Sequence, residues 1–236
     1  MLLLKRQLNR KKNSSKLQLL KLSALLFAVV VLAACGPEVQ DENPQISYEN
    51  TGIYPPILGE PDFDSITGDT IYHTIPDFSF INQDNKIINS DSLKGKIYVA
   101  DFFFTTCPSI CPIMTKQLTR VQKEFTNDPN FKIISFTVDP DKDKSEILKA
   151  YAEKNGANSA QWSFCTGEKQ KIYRLGQKGF LLVEPEYRND TIDFLHSDKL
   201  VLIDQFSRIR GFYSGTDSTE VNLLISDIKI LKNASK

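Results

Sequence analysis

The chain falls into three stretches with different patterns of apolar and polar positions. Residues 22–34 are an unbroken run of apolar and small residues. That run is too short to span a bilayer comfortably, which takes about 20 residues. Residues 36–61 show no sustained period and hold Pro37, Pro44, Pro55, Pro56 and Pro61 among acidic and amide residues. Such a stretch disfavours helix and reads as an extended tether. From residue 62 onward, apolar runs alternate with helical stripes and no internal repeat is visible.

Within this last stretch, residues 75–80 and 86–88 flank Asn82, Gln83, Asp84 and Asn85, a hairpin-like turn signal. Residues 97–104 (IYVADFFF) are almost continuously apolar, the mark of a central strand buried on both faces. Met114, Leu118, Val121 and Phe125 then recur at helical spacing. Residues 131–138 (FKIISFTV) read as a second buried strand, and residues 143–155 as a helix carrying Ile147, Leu148 and Tyr151. Shorter segments come next: strand at 162–165, helix at 169–175, strand at 180–183, and a strand pair at 200–204 and 209–213. Asp217 with Glu220 three residues later resembles a capping box. Behind it Val221, Leu224, Ile225, Ile228 and Leu231 form an apolar helical stripe. Strands alternating with helices predict one α/β domain over residues 62–236, with a mixed sheet covered on both faces and an N-terminal hairpin.

Charge changes the picture at the N-terminus. The whole chain balances 29 basic against 29 acidic residues, which argues against a nucleic-acid binder. Seven of those basic residues and no acidic one precede Cys35, leaving 22 basic against 29 acidic from there on. A basic segment followed by a short apolar core reads as an export signal over residues 1–34. Its end, Leu32-Ala33-Ala34-Cys35-Gly36, resembles the bacterial lipobox, where cleavage precedes a cysteine that carries lipid. The expectation is a domain outside the cytoplasm, most simply in a periplasm, held to a membrane by lipid on Cys35 and a tether over residues 35–61.

The remaining cysteines are Cys107, Cys111 and Cys165. Cys107 and Cys111 lie where the strand 97–104 runs into the next helix. If that helix has begun by Cys107, the pair shares one face, close enough for a disulfide or for joint ligation of a metal. Pro108 suits the first helical position, and thiols at a helix N-terminus are favoured as thiolates. Three readings of the pair stay open: a structural disulfide, a redox-active dithiol, or a metal site. A four-residue link closes too small a loop to stabilise much, and structural zinc lacks a second ligand pair. Of the two histidines, His73 sits in a polar run near the first strands, and His196 in a loop just before a buried strand.

Taken in order, FFFTTCPSICP (102–112), ISFTVDP (134–140), WSFCTG (162–167) and HSDKLVLID (196–204) resemble the motifs of the Sco/SenC family. The resemblance implies a thioredoxin-like fold and a membrane-anchored copper protein that helps assemble the binuclear copper site of cytochrome c oxidase. It implies copper ligation by Cys107, Cys111 and His196, with Cys107 and Cys111 able to form a disulfide. Asp139 would be a weak ligand or a neighbour of the site. Two thiolates and an imidazole suit Cu(I), and Cu(II) with a weak further ligand. The partners so implied are cytochrome c oxidase subunit II, an extracytoplasmic thiol reductase or another copper donor.

Two residues depart from the pattern. Cys165 stands where the family carries an aliphatic residue, and reads as a buried thiol outside the redox pair. Asp101, a carboxylate inside an apolar strand, resembles in its offset from Cys107 the buried acid of thioredoxins. It keeps open the alternative of a thiol-disulfide oxidoreductase using Cys107 and Cys111, with Asp101 as proton acceptor.

The lipobox reading has a direct consequence. Cys35→Ser should leave the chain unprocessed or release it from membranes, which fractionation and mass spectrometry of the N-terminus will show. A wild-type chain cut before Cys35 with that cysteine unmodified would contradict it.

Overall fold

The computed structural model of the protein describes residues 55–182 and 197–234. Strands β1 (Asp62–Phe63) and β2 (Thr70–Ile71) form a small antiparallel hairpin of their own. Next come β3 (Ser79–Asn82), β4 (Ile87–Asn89), the short helix α1 (Ser90–Leu93) and the long strand β5 (Ile97–Phe103). Helix α2 (Ile110–Glu124), β6 (Phe131–Thr137), α3 (Ser145–Lys154) and β7 (Trp162–Thr166) continue the chain. Helix α4 (Lys169–Arg174) runs into a π-turn (Leu175–Gly179). After residue 197 come β8 (Lys199–Ile203), β9 (Ile209–Ser214) and α5 (Ser218–Ala234).

Seven strands make one mixed sheet in the order β4-β3-β7-β6-β5-β8-β9. The β5–β6 and β6–β7 pairs are parallel, and β3–β4, β3–β7, β5–β8 and β8–β9 are antiparallel. This is the α/β architecture expected, a mixed sheet with helices on both faces. Every residue of β5 is buried, which is why its sequence is an apolar run and not an alternation. Its side chains nevertheless divide between two cores. Ile97, Val99 and Phe103 join the core beneath α2, α3 and α5, whereas Tyr98, Ala100 and Phe102 join the one that holds Ile172, Leu175 and Phe180.

Met114, Leu118 and Val121 of α2 are at most 1% exposed and pack into the first core. Burying each such side chain contributes about 1.5–3 kcal/mol. That docking fixes where α2 begins relative to the end of β5, and so where the cysteines stand.

The structure departs from the sequence expectation at four places. The hairpin of β1 and β2 and the short α1 were not legible, because two- and four-residue elements carry no period. Helix α2 starts at Ile110, with Ser109 as its N-cap, so Cys107 and Pro108 precede the helix and do not share its first turn. The reason is a tight turn, in which the Cys107 N–H donates to the Phe104 carbonyl at 3.2 Å. Residues 180–182 are not a strand. Phe180 and Leu182 donate their N–H groups back to Leu175 and Gly176 of the π-turn, and Leu181 takes a left-handed φ of 54°. The run is apolar because Phe180 and Leu182 are buried, not because it is extended. Finally, the capping box is open. Asp217 accepts from the Thr219 N–H, but Glu220 reaches past it to the N–H of Ser214 at the end of β9.

Candidate metal centre

Cys107 and Cys111 lie together at the corner where β5 gives way to α2. Both are buried, at 6% and 3% exposure, and both contribute to the first core beside Phe103 and Met114. Neither sulfur is in a disulfide in this structure. The Ser109 side chain caps no backbone group of α2, and its hydroxyl lies instead 3.7 Å from the Cys107 sulfur.

The two sulfurs differ chemically. Desolvation pushes the Cys107 thiol up. It is outweighed by the backbone N–H groups of Cys111 and Ser109, helped by the Cys111 thiol and the Ser109 hydroxyl, which together hold Cys107 below its ordinary value. Those N–H groups belong to the first turn of α2, whose orphan donors and dipole favour negative charge. Cys111 is pushed up to about 12, first by desolvation and then by its partner, with the Phe104 backbone opposing. The corner therefore favours the thiolate at one sulfur more than an ordinary cysteine does, and favours the protonated thiol at the other, which donates toward the first.

A residue that sequence reasoning passed over holds this corner in place. Asp143, 1% exposed, accepts from the Thr105 N–H at 3.0 Å and the Thr105 hydroxyl at 2.5 Å, and also from the Thr137 hydroxyl at 2.5 Å. Thr105 stands two residues before Cys107, and Thr137 ends β6. Hydrogen bonds to a charged acceptor stabilise by about 1.5–3 kcal/mol each. The available signal was a third Asp in DPDKD, four residues past Asp139, but carboxylates in a turn ordinarily face water. Asp139 itself sits at the corner's edge, its carboxylate paired with Lys142 at 2.9 Å and its N–H donated to the Thr137 hydroxyl.

Asp101 is fully buried on the face of β5 that looks toward α2. It stands in register with Ser135, whose hydroxyl donates to it at 2.5 Å and itself accepts from the Trp162 indole at 2.9 Å. Desolvation pushes Asp101 up to about 7, partly offset by Ser135. Its charge acts on both Cys111 and Tyr151, and the Tyr151 hydroxyl meets that of Thr115 at 2.8 Å.

The other candidates are placed elsewhere or not described. Cys165 lies on the opposite face of the sheet in the second core, 0% exposed, where desolvation raises its thiol. His73 gives its Nε2 to the Gly179 carbonyl of the π-turn at 2.7 Å. His196 and Cys35 lie outside the described residues. Among the described residues no three His, Cys, Asp or Glu side chains form a cluster fit to hold a metal.

The chain immediately after His196 is anchored to the end of β9. The Asp198 carbonyl accepts from the Gly215 N–H at 2.7 Å, and the Asp198 carboxylate accepts from the Ser214 hydroxyl at 2.5 Å. A Cβ at Gly215 would lie 3.1 Å from the Asp198 carbonyl and 3.0 Å from Met114 Cγ, one turn beyond Cys111. Only a glycine lets these three segments meet so closely.

The SCO1/SenC family profile matches residues 68–231. The SCO1 protein homolog of Bacillus subtilis (strain 168) is 34% identical over 165 residues, which are 68% of this chain and 84% of that protein. Among solved structures, a SCO1/SenC family lipoprotein from Bacillus anthracis is 34% identical with a TM-score of 0.60, covering 68% of this chain and 95% of that one. BsSco, described as a member of the Sco family of cytochrome c oxidase assembly proteins with a disulfide switch, is 33% identical with a TM-score of 0.58, covering 67% and 93%. Copper-bound ScoI of Bradyrhizobium japonicum shares the fold at 20% identity and a TM-score of 0.54, over 67% of this chain and 99% of that one.

The unequal thiols make a measurable difference. In the reduced chain at pH 8, iodoacetamide should label Cys107 first, leaving Cys111 and Cys165 unlabelled until the chain is unfolded. Peptide mass spectrometry reads this directly, and labelling of Cys111 ahead of Cys107 would contradict the assignment.

Proposed function

The chain belongs to the SCO1/SenC family, and from that premise we propose that it carries one copper ion as cargo for the binuclear copper site of cytochrome c oxidase subunit II. Cys107, Cys111 and His196 hold the ion, outside the cytoplasm, on a domain tethered to the membrane through Cys35. The observation that carries this reading is the unequal dithiol at the start of α2, in a domain whose fold and family are those of copper-bound and oxidase-assembly relatives. Cys107, already favoured as a thiolate, is the first sulfur to bind, and Cys111 gives up its proton as the second. Soft thiolates select Cu(I), which also excludes the hard cations of the surroundings.

His196 completes the proposed set, being the residue that precedes Ser197 in the sequence. Asp198 is bonded to Gly215, whose Cα lies close to Met114 of the helix that carries Cys111. Antiparallel pairing of β8 with β5 directs the chain before Lys199 along the C-terminal end of β5, the end that leads to Cys107. Asp139, whose N–H donates to the Thr137 hydroxyl that also bonds Asp143, would act on the site as a weak ligand or a neighbour.

A second reading draws on the same unequal pair. A thiolate beside a protonated thiol is the arrangement of a dithiol reductant. Cys107 would attack a client disulfide, Cys111 would resolve the mixed disulfide, and Asp101 would take the Cys111 proton. The client gains two thiols and this chain keeps the Cys107–Cys111 disulfide, to be reduced again by an extracytoplasmic thiol reductase. The two readings are compatible, since a recipient site must have its own cysteines reduced before copper enters.

Copper titration of the reduced chain tests the first reading. One equivalent should bind, Cu(II) with a sulfur-to-metal charge-transfer band. Cys107→Ser or Cys111→Ser should abolish that band and His196→Ala should weaken binding, while Cys165→Ser and His73→Ala leave the stoichiometry at one. Equal loss in Cys165→Ser would show that the ligands are assigned wrongly.

A further inference from the structure

Exposed apolar side chains are concentrated in one part of the described structure. Of the nine large apolar residues exposed there, Phe63, Ile66, Ile71 and Tyr72 lie on the β1–β2 hairpin, and Phe206 lies in the turn between β8 and β9. Ile66, at the hairpin tip, is 92% exposed. The two groups form one surface. The Arg208 guanidinium lies between the Tyr72 and Phe206 rings, 4.9 and 5.2 Å from their centroids. The Ile75 N–H donates to the Ser207 carbonyl, tying the base of the hairpin to the same turn. A two-stranded hairpin with both faces exposed is marginal by itself, and clustered apolar exposure of this kind marks a contact surface.

The place where the tether joins the domain identifies what it contacts. Pro55, the first described residue, is buried, and its carbonyl accepts from the Arg210 guanidinium. Three residues on, the Leu58 N–H donates to the Ile209 carbonyl of β9. The tether therefore enters beside β9, next to Arg208 and the hairpin. Nineteen residues lie between Cys35 and Pro55. At roughly 3.3 Å per residue their contour is at most about 65 Å, so lipid on Cys35 bounds how far the point of entry can stand from the membrane.

We propose that the β1–β2 hairpin and Phe206 dock on the bilayer interface, so that the domain sits on the membrane with this edge down. The proposal rests on the lipid anchor at Cys35. Aromatic and branched apolar residues settle at the headgroup boundary, at depths of about 5–10 Å. Glu60, Asp62, Asp64 and Asp69 flank the apolar residues. The carboxylates of Asp62 and Asp64 already accept backbone N–H groups of the hairpin, from Phe63 and from Ile66 and Thr67. These charges stay hydrated, keep insertion shallow and oppose anionic headgroups. Contact is thus apolar in origin and weak alone, and the tether makes it effective by raising local concentration. It holds the opposite edge strand, β4, away from lipid.

Tryptophan quenching by brominated phosphatidylcholine tests this on the full lipidated chain. The native indole, Trp162, is fully buried and serves as an unquenched background. The indole introduced by Ile66→Trp should be quenched and blue-shifted in vesicles. One introduced by Ile87→Trp, exposed on β4, should be neither. Adding Phe63→Ser, Ile71→Ser and Phe206→Ser to Ile66→Trp should remove the quenching, and these exposed positions cost little stability. Phosphatidylglycerol at low salt should reduce quenching, and salt should restore it. An unquenched tip on vesicles that carry the protein overturns the proposal and leaves a protein partner for this surface. So does equal quenching at residue 87. If the chain fails to float with vesicles, the anchor reading fails instead. The same quenching is then read on a chain held to nickel-chelating lipid by an N-terminal histidine tag, with the same two outcomes deciding.

Discussion

The corner that carries the two cysteines depends on one buried carboxylate. Strands β5 and β6 end side by side in parallel, and their chains must then leave the sheet in different directions. Asp143 satisfies both departures at once, accepting from Thr105 just past β5 and from Thr137 at the end of β6. Its own N–H is held by the Asp139 carbonyl, which closes the second turn. Buried acceptors of this kind fix a geometry because the alternatives leave an unpaired charge.

Everything distinctive about the sulfurs stems from that placement. With α2 docked through Met114, Leu118 and Val121, its first turn aims N–H groups at Cys107 while Cys111 faces the core. The same few ångströms thus favour the thiolate at one sulfur and the thiol at the other, although the side chains are identical. Such a pair accepts a soft cation without first having to deprotonate both ligands, and it also attacks a disulfide with one sulfur while the other waits. Asp101, held by Ser135 and Trp162 behind α2, gives the site a titratable neighbour that water does not reach. The chemistry is set by burial and helix geometry, and the family relation says which of its uses applies.

Much of this was legible in the order of residues. Central strands read as unbroken apolar runs because both faces of β5 and β6 are covered, and α2 and α5 read as stripes because each docks on one face. Motifs placed the dithiol and the loop before β8. What escaped has physical reasons. Helix α2 starts three residues after Cys107, delayed by a turn that no residue type announces. Apolar burial at Phe180 and Leu182 looked like a strand, although Leu181 turns the chain back on itself. Asp143 reads from sequence as the first residue of a helix, whereas α3 begins at Ser145 and Asp143 turns to Thr105 and Thr137, 38 and six residues away. Short elements such as β1 and β2 leave no period at all, and the apolar residues they expose are visible only once the fold is known.

The central claim is that Cys107 and Cys111 from the α2 corner and His196 from the loop before β8 bind one copper ion together. X-ray absorption at the copper edge of the Cu(I)-loaded chain tests it most directly, because it counts donors by type. The account predicts two sulfur neighbours and one nitrogen, with the nitrogen lost in His196→Ala and both sulfurs retained. Two sulfurs in a linear site that His196→Ala leaves unchanged, or a shell without sulfur, would contradict it.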